Sequence, residues 1–391
     1  MFSTISVDSP IGTGVAGVKP LLGAAPLAAI VSETIPYYRP TKAGLHFSRE
    51  PGLHGPRSQV STPTTILSLD FDDEGGLLLT SESDSSMQIY NVKEGKHQKT
   101  LLSLKYGVGQ AMFAHANGCI IHSSTKLNNT IRYLSTHDNS YLRYFEGHEK
   151  NVTCLAIHPG QDNFLSCSED NTLRLWDAGS KNCSGKLNLY GAYLAAWDPS
   201  GNVFAVASPI AHSILLYDFR NFDKEPFSTF DVLPYLSQEF SRGLSNKWNK
   251  LEFSNDGKSL LLGTTGKNHL LLDAFDGSLK AFLRRDHGGV TRFGPGDHNT
   301  ESMDHPSSEN SHPSFGDVCF SPDGRFVVSG SRTRNVFIWD TMASLSEKIL
   351  MPTHELEYKG DSAVVAFNPR FHFLATADKE LIFWVPDQSL L

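Results

Sequence analysis

Cysteine is scarce in this 391-residue chain, and none of its five cysteines has a C-x-x-C spacing. Scattered thiols of this kind are typical of the reducing cytosol or nucleus, and they argue against a zinc site built from cysteines. The chain also lacks a block of Lys or Arg, and its formal net charge is −8. Nucleic-acid binders depend on neutralising phosphates, so we expect no direct, sequence-specific contact with nucleic acid.

Long apolar runs are missing as well. The one segment that suggests export, PLLGAAPLAAIV at 20–31, is interrupted by Pro26, and it is shorter than the ~20 apolar residues of a membrane helix. We therefore expect no membrane contact, and we interpret residues 1–40 as a disordered N-terminal tail. The glycine-rich GTGVAG at 12–17 follows no predicted strand, so it does not indicate a phosphate-binding loop, and no cofactor is expected.

What the sequence does contain is a repeat. Seven alternating stretches each follow an apolar run and a turn, and they are MQIYN (87–91), TIRYLS (130–135), LRLWD (173–177), ILLYD (214–218), LLLDA (270–274), VFIWD (336–340) and LIFWV (381–385). Alternation is typical of half-buried strands. A repeat of roughly 40 to 45 residues built from such strands is typical of the four-stranded blades of WD-repeat proteins. The sequence therefore predicts an all-β fold, a seven-bladed WD-repeat β-propeller.

The ring is expected to span residues 41–386. A propeller leaves an unpaired strand edge where its ends meet, and an N-terminal strand that joins the last blade removes that edge. The segment KAGLHFS at 42–48 is placed to supply this strand. Residues 285–313 are polar and rich in Gly, Pro and Ser, which favours a flexible surface insertion, and residues 387–391 form a short C-terminal tail.

Blade three carries four residues that suggest either chemistry or structure. His148 precedes its first strand, Ser166 lies on the second, Asp170 lies in the turn before the third, and Trp176 lies on the third. A catalytic interpretation needs an exposed nucleophile beside a base and an oxyanion site, and no G-x-S-x-G motif is present. In the WD-repeat pattern these side chains form a buried hydrogen-bonded chain, because indole and imidazole N–H groups need partners once buried. We predict the structural role and no catalytic residues.

The insertion also holds four histidines that suggest a metal site. They are His287, His298, His305 and His312. Their spacing fits no face of a helix, and the surrounding Gly, Pro and Ser offer no rigid shell of supporting groups. We therefore expect a solvated loop and no metal.

Propellers without chemistry usually act through the loops that meet at their rims. In blade three the entry loop contributes Glu149, Lys150 and Asn151, and the residue before the tight turn is Glu169; Arg332 is its counterpart in blade six. A mixed polar surface of this kind is typical of a protein-docking face. These five residues are candidate partner contacts.

Some runs do not follow from the blade pattern, and they carry a family resemblance. KYG at 105–107 and YLRYF-x-GH at 141–148, together with DPSGNVFAVAS and WNKLEFSNDGK, resemble WD repeat-containing protein 82 and its fungal counterpart, Swd-two. The resemblance runs from about residue 60 to 386. It implies a nuclear, non-catalytic subunit of the COMPASS complex, whose SET-domain subunit methylates lysine 4 of histone H3, and of the cleavage and polyadenylation factor.

The resemblance also implies how such a subunit works. It would dock the methyltransferase and other COMPASS subunits, and link them to the phosphorylated tail of RNA polymerase II and to ubiquitinated histone H2B. Six residues that the blade pattern does not require are candidates for partner contacts or for unusual packing: Lys105, Tyr106, Arg132, Arg143, Tyr144 and Trp248. Two alternatives stay open, namely a propeller adaptor of a ubiquitin ligase and an enzyme.

Overall fold

The computed structural model describes residues 31–41, 64–116, 118–191, 194–236, 248–285, 317–331, 335–343, 348–358 and 361–387. Within them, seven sheets of four or five strands follow one another along the chain. The first strands of consecutive blades contact each other around the ring, and the first strand of blade seven contacts that of blade one. The predicted seven-bladed β-propeller is confirmed.

Two elements precede blade one: helix α1 (Val31–Thr34), which continues into a 3-10 turn (Ile35–Tyr37), and strand β1 (Tyr38–Thr41). The strands of blades one to three are β2 (Ile66–Phe71), β3 (Leu77–Glu82), β4 (Ser86–Asn91) and β5 (Lys96–Leu102); β6 (Ala111–Phe113), β7 (Cys119–Ser123), β8 (Ile131–Ser135) and β9 (Ser140–Phe145); and β10 (Val152–Ile157), β11 (Asn163–Ser168), β12 (Thr172–Asp177) and β13 (Cys183–Asn188).

The strands of blades four and five are β14 (Leu194–Trp197), β15 (Val203–Ser208), β16 (Ser213–Asp218) and β17 (Ser228–Asp231); and β18 (Trp248–Phe253), β19 (Ser259–Thr264), β20 (Asn268–Asp273) and β21 (Leu279–Arg284). A 3-10 turn (Phe219–Asn221) and helix α2 (Leu233–Leu236) accompany blade four. Blades six and seven contain β22 (Val318–Phe320), β23 (Phe326–Ser329), β24 (Asn335–Asp340), β25 (Ile349–Leu350) and β26 (His354–Glu357); and β27 (Val364–Phe367), β28 (Leu374–Ala377) and β29 (Leu381–Pro386).

The seven sequence endings lie on the third strand of each blade, and their aromatic or aliphatic landmark residues are all buried. The turn between the first two strands repeats as well. In blade four it ends in Gly201, whose φ of +71° is a conformation that glycine adopts without steric cost, and a Cβ there would collide with the ring of His158. The turn pattern and the strand period therefore act together to set the blade boundaries.

An N-terminal strand closes the ring, but it is not the predicted one. Strand β1 pairs antiparallel with β29, with Tyr38 opposite Pro386 and Thr41 opposite Phe383. Val31 and Ile35 pack with Tyr38 into the core between blades six and seven. The expected boundary of the tail at residue 40 is therefore wrong, since apolar side chains from residue 31 onward are buried. The segment 42–48 and residues 1–30 lie outside the described residues.

Blade six also departs from the simple pattern. Its loop between the third and fourth strands carries β25, which pairs in parallel with β21 at the outer edge of blade five. The pairing gives blade five a fifth strand and covers part of its edge. Within the described parts of the chain, no helix is long and apolar enough to cross a membrane.

Candidate docking site on blade two

The four blade-three residues form one continuous hydrogen-bonded chain. The Trp176 indole N–H donates to Ser166 Oγ at 2.8 Å, Ser166 Oγ lies 2.7 Å from His148 Nε2, and His148 Nδ1 lies 3.0 Å from Asp170 Oδ2. Because an indole nitrogen only donates, the Ser166 hydroxyl is free to donate to Nε2, which leaves the Nδ1 proton for Asp170. Burial lowers the pKa of His148, which keeps the imidazole neutral at physiological pH.

Ser166, His148 and Asp170 are hydrogen-bonded in the same order as the residues of a hydrolase triad, but a substrate cannot reach the serine. Ser166 is fully buried, and its oxygen already accepts the Trp176 N–H. A nucleophile has to reach a substrate carbonyl, so the geometry favours the structural role. Asp170 is held further by the backbone N–H groups of Thr172 and Glu149, and its hydrogen bonds to Thr172, Glu149 and His148 lower its pKa to about 2 against the effect of burial.

The candidate rim contacts of blade three lie around that chain. Glu149 and Lys150 are exposed, while Asn151 and Glu169 are half-buried. The Asn151 side-chain amide lies 3.5 Å from Glu169 Oε2, and the Glu169 N–H donates to the Asn151 carbonyl. The entry loop and the tight turn are thereby joined. Arg332 lies outside the described residues.

The KYG stretch forms a tight turn between blades one and two. The Tyr106 and Gly107 N–H groups both donate to the Ser103 carbonyl, and Gly107 has a φ of +73°. A Cβ at this glycine would collide with Thr125 Oγ1, because the next loop packs directly on it. The Thr125 and Lys126 N–H groups donate to the Tyr106 carbonyl. The glycine therefore lets two loops meet and presents Lys105 and Tyr106 at the top of blade two.

Arg132 is the centre of a cluster formed there. Its guanidinium carbon lies 3.7 Å from the centre of the Tyr106 ring and 5.6 Å from that of Tyr144, its cross-strand neighbour on β9. Tyr141 packs against both rings, at 5.6 Å from Tyr106 and 5.8 Å from Tyr144. The Lys105 ammonium lies 5.1 Å from the centre of the Tyr106 ring. We call these five residues the blade-two cluster.

The guanidinium of Arg132 is buried, with only 2% of the residue exposed. It donates to Ser124 Oγ, to the Thr130 carbonyl at 3.3 Å and to Asn128 Oδ1 at 3.1 Å. All these acceptors are neutral. Burial lowers the pKa of Arg132, and the surrounding tyrosine hydroxyls oppose that shift; a guanidinium nevertheless stays charged at neutral pH. The cluster is thus a buried cation under aromatic rings.

Two candidates lie elsewhere. Arg143 lies on the other face of β9, where its guanidinium donates to the Ala178 carbonyl of blade three. Trp248 is 2% exposed and packs in the core shared by blades three to five, with no hydrogen-bond partner for its indole N–H among the described residues. Trp248 therefore belongs to the packing alternative, because a side chain this deeply buried cannot contact a partner.

Two features of the structure are not predicted by the sequence. Tyr141 lies in the run YLRYF-x-GH, but nothing in the neighbouring sequence indicates that its hydroxyl reaches Ser103 Oγ, at 2.9 Å. The other is a buried ion pair between Arg285 and Asp317 at 3.4 Å, in which Arg285 also donates to Ser329 Oγ. Ser329 occupies the position of Ser166 in blade six, and its hydroxyl is contacted by His269 at 2.9 Å as well as by Arg285.

The first strands of blades two to five line a cavity of about 300 Å³. It contains the ion pair between Lys250 and Glu252, at 3.9 Å. Within the described ranges, no group of His, Cys, Asp and Glu is arranged to hold a metal ion. The four histidines of the insertion lie outside those ranges. All five cysteines are free thiols.

Comparison with known proteins gives two kinds of match. The family described as WD domain, G-beta repeat matches residues 139–177 and 308–340. The chain is 41% identical to WD repeat-containing protein 82 of Drosophila melanogaster, over 82% of this chain and 90% of that protein.

Two fungal relatives match a similar share of the chain at lower identity. The chain is 36% identical to COMPASS component SWD2 of Saccharomyces cerevisiae, over 83% of this chain and 91% of that protein. It is also 36% identical to Set1 complex component swd2 of Schizosaccharomyces pombe, over 82% of this chain and 92% of that protein.

Proposed function

The chain belongs to the family of WD repeat-containing protein 82 and the SWD2 components of the COMPASS and Set1 complexes, and on that basis we propose that it is a non-catalytic scaffold subunit of such a complex. Its role is to dock a SET-domain methyltransferase that acts on lysine 4 of histone H3. The proposal assigns the protein to the nucleus and to chromatin.

One observation supports docking rather than chemistry. Three residues that the blade pattern does not require, Lys105, Tyr106 and Tyr144, come together at the top of blade two over the buried guanidinium of Arg132, whereas the Ser166 hydroxyl is fully buried. Tyr is enriched at the energetically important positions of protein interfaces. A surface of this composition is suited to holding a partner.

The finer parts of the proposal follow from the family resemblance. The protein would also join the mRNA cleavage and polyadenylation machinery, and would link both assemblies to the phosphorylated tail of RNA polymerase II and to ubiquitinated histone H2B. Separate faces of the ring could serve these partners, because loops from seven blades are displayed at each rim.

Affinity purification of the tagged full chain from nuclear extract, followed by mass spectrometry, tests the proposal. We expect a SET-domain methyltransferase and polyadenylation factors among the recovered proteins. Recovery of the methyltransferase alone would remove the second assembly from the proposal. Recovery of cullin adaptors without either would contradict it and favour the ubiquitin-ligase alternative.

A further inference from the structure

The buried charge of Arg132 has no ionic partner among the described residues. None of the carboxylates in the described residues forms an ion pair with it, and its Nε has no hydrogen-bond acceptor there. A buried cation is unfavourable unless a negative charge or strong acceptors compensate it. The neutral acceptors and aromatic rings around Arg132 compensate only part of the charge, which leaves the surface above it positive.

Two exposed lysines add to this positive surface. Lys105 lies over the Tyr106 ring, and Lys126 belongs to the loop that packs on the Tyr106 backbone. The Lys126 ammonium donates to Ser85 Oγ at 2.7 Å. Asp84 is the exposed carboxylate of the neighbouring blade-one turn, and it accepts from the Ser86 N–H instead of pairing with either lysine. A positive patch on a chain of net charge −8 is a local feature, and it attracts acidic partners.

Apolar side chains border the same patch. Tyr144 is 43% exposed, Leu127 is 73% exposed and Leu104 is half exposed. Leu127 has a φ of +65°, a left-handed conformation that costs a leucine about 1 to 2 kcal/mol. The turn therefore holds a large apolar side chain out into water at an energetic cost, next to Asn128, which accepts from Arg132.

We propose that the top of blade two binds a short acidic segment of a partner protein. In it, an Asp or Glu carboxylate lies between Lys105 and Lys126 above Arg132, and an adjacent apolar side chain packs on Tyr144 and Leu127. The inference rests on the proposed docking role and names the chemistry of one docked segment. A carboxylate fits better than a phosphate, because bidentate recognition of a phosphate relies on a guanidinium that it can reach, whereas here the one guanidinium is buried and most of its donors are used.

Fluorescence anisotropy with labelled synthetic peptides and the purified full chain tests this inference. The probes are a peptide that alternates Glu or Asp with Leu or Phe, the same peptide with Gln and Asn in place of the acidic residues, and the same peptide with phosphoserine in their place. We expect the acidic peptide to bind at least about tenfold more tightly than the amide peptide, and added salt to weaken it.

Variants locate the binding. The double variant Lys105→Glu, Lys126→Glu and the single variant Tyr144→Ala should each weaken the acidic peptide by about tenfold or more. The matched control reverses two exposed lysines of blade three, Lys181→Glu and Lys186→Glu, and should leave the affinity unchanged. Thermal melting of every variant shows whether the fold is kept; the exposed positions 105 and 126 make that the expected result.

Three outcomes would overturn the inference: equal binding of the acidic and amide peptides, equal loss in the Lys105, Lys126 variant and in the control, or tighter binding of the phosphoserine peptide. Affinity purification with the same variants separates this from the proposed function. If the wild-type chain and the Lys105, Lys126 variant recover the methyltransferase equally, the scaffold role stands and the surface is wrong. If the wild-type chain recovers none, the scaffold role fails whatever the peptides do.

Discussion

Replacement of His148 by alanine is the sharpest test of the blade-three chain. The side chain is 1% exposed, and its removal takes one hydrogen bond from Ser166 and one from Asp170. Ser166 still accepts from Trp176, and Asp170 still accepts from Thr172, so each oxygen keeps one donor, while the Ser166 O–H loses its acceptor. Two lost hydrogen bonds at about 1 kcal/mol each, with about 1 kcal/mol for the smaller side chain in a packed site, give a destabilisation of about 3 kcal/mol.

That free energy converts into a measurable shift. The entropy of unfolding is about 2.1 cal/mol/K per residue, which amounts to roughly 0.6 kcal/mol/K for a ring of about 300 residues. We therefore expect scanning calorimetry to show a Tm lowered by about 5 °C. The matched control is His137→Ala, which removes an exposed imidazole and should leave Tm unchanged.

The same variant decides between structure and chemistry. A structural His148 lowers Tm, and weakens binding to all partners only to the extent that the ring unfolds. An unchanged Tm together with loss of one defined activity would refute the reasoning and restore the catalytic interpretation. A double-mutant cycle with Ser166→Ala should give a coupling energy of about 1 kcal/mol or more, because the two side chains share a hydrogen bond.

Three further predictions concern ionisable groups. Burial raises the pKa of Asp70 to about 7, so the native state loses stability as pH rises from about 4 to 7. Across that window the variant Asp70→Asn should become more stable than wild type, by roughly 4 kcal/mol at most. Denaturant titrations at each pH measure this difference. Burial lowers the pKa of His122 to about 4, so the stability that the neutral imidazole contributes is present above about pH 6.5 and is lost as pH falls toward 4. The variant His122→Gln should lose less stability over that acid range. An unaltered dependence of stability on pH would contradict the assignment. Arg285→Met leaves Asp317 charged and buried, which should cost about 3 to 5 kcal/mol, and Asp317→Asn in the same chain should recover part of it.

The fold could be predicted because its signals are local. Alternation within each strand and an Asp, Pro or Gly turn at a fixed distance from an aromatic landmark recur in each blade, and each pattern depends on the residues that carry it. The closing strand was misplaced by a few residues for the same reason. Strand β1 has four residues and includes Pro40, which is tolerated at an edge, so its alternation carries little signal. Its identity depends on Tyr38 packing against blade seven.

The candidate site was only partly predictable. Lys105, Arg132 and Tyr144 stand out in the sequence because the blade pattern does not require them. The sequence does not indicate that they come together, since they lie on a loop and on two separate strands. Arg143 is adjacent to Tyr144 in sequence and points to the opposite face, because successive residues of a strand alternate between its faces.

The sequence by itself determined the number of blades, the turns between them and the residues of the hydrogen-bonded chain in blade three, because strand period and turn chemistry are properties of short segments. Only the tertiary structure decided that a buried Arg132 lies beneath two tyrosines without a carboxylate partner among the described residues. It also decided that both Arg285 and His269 contact Ser329 in blade six, whereas the corresponding Ser166 of blade three contacts His148. Both facts depend on which side chains face each other across strands, loops and blades, and no short segment of the sequence fixes that.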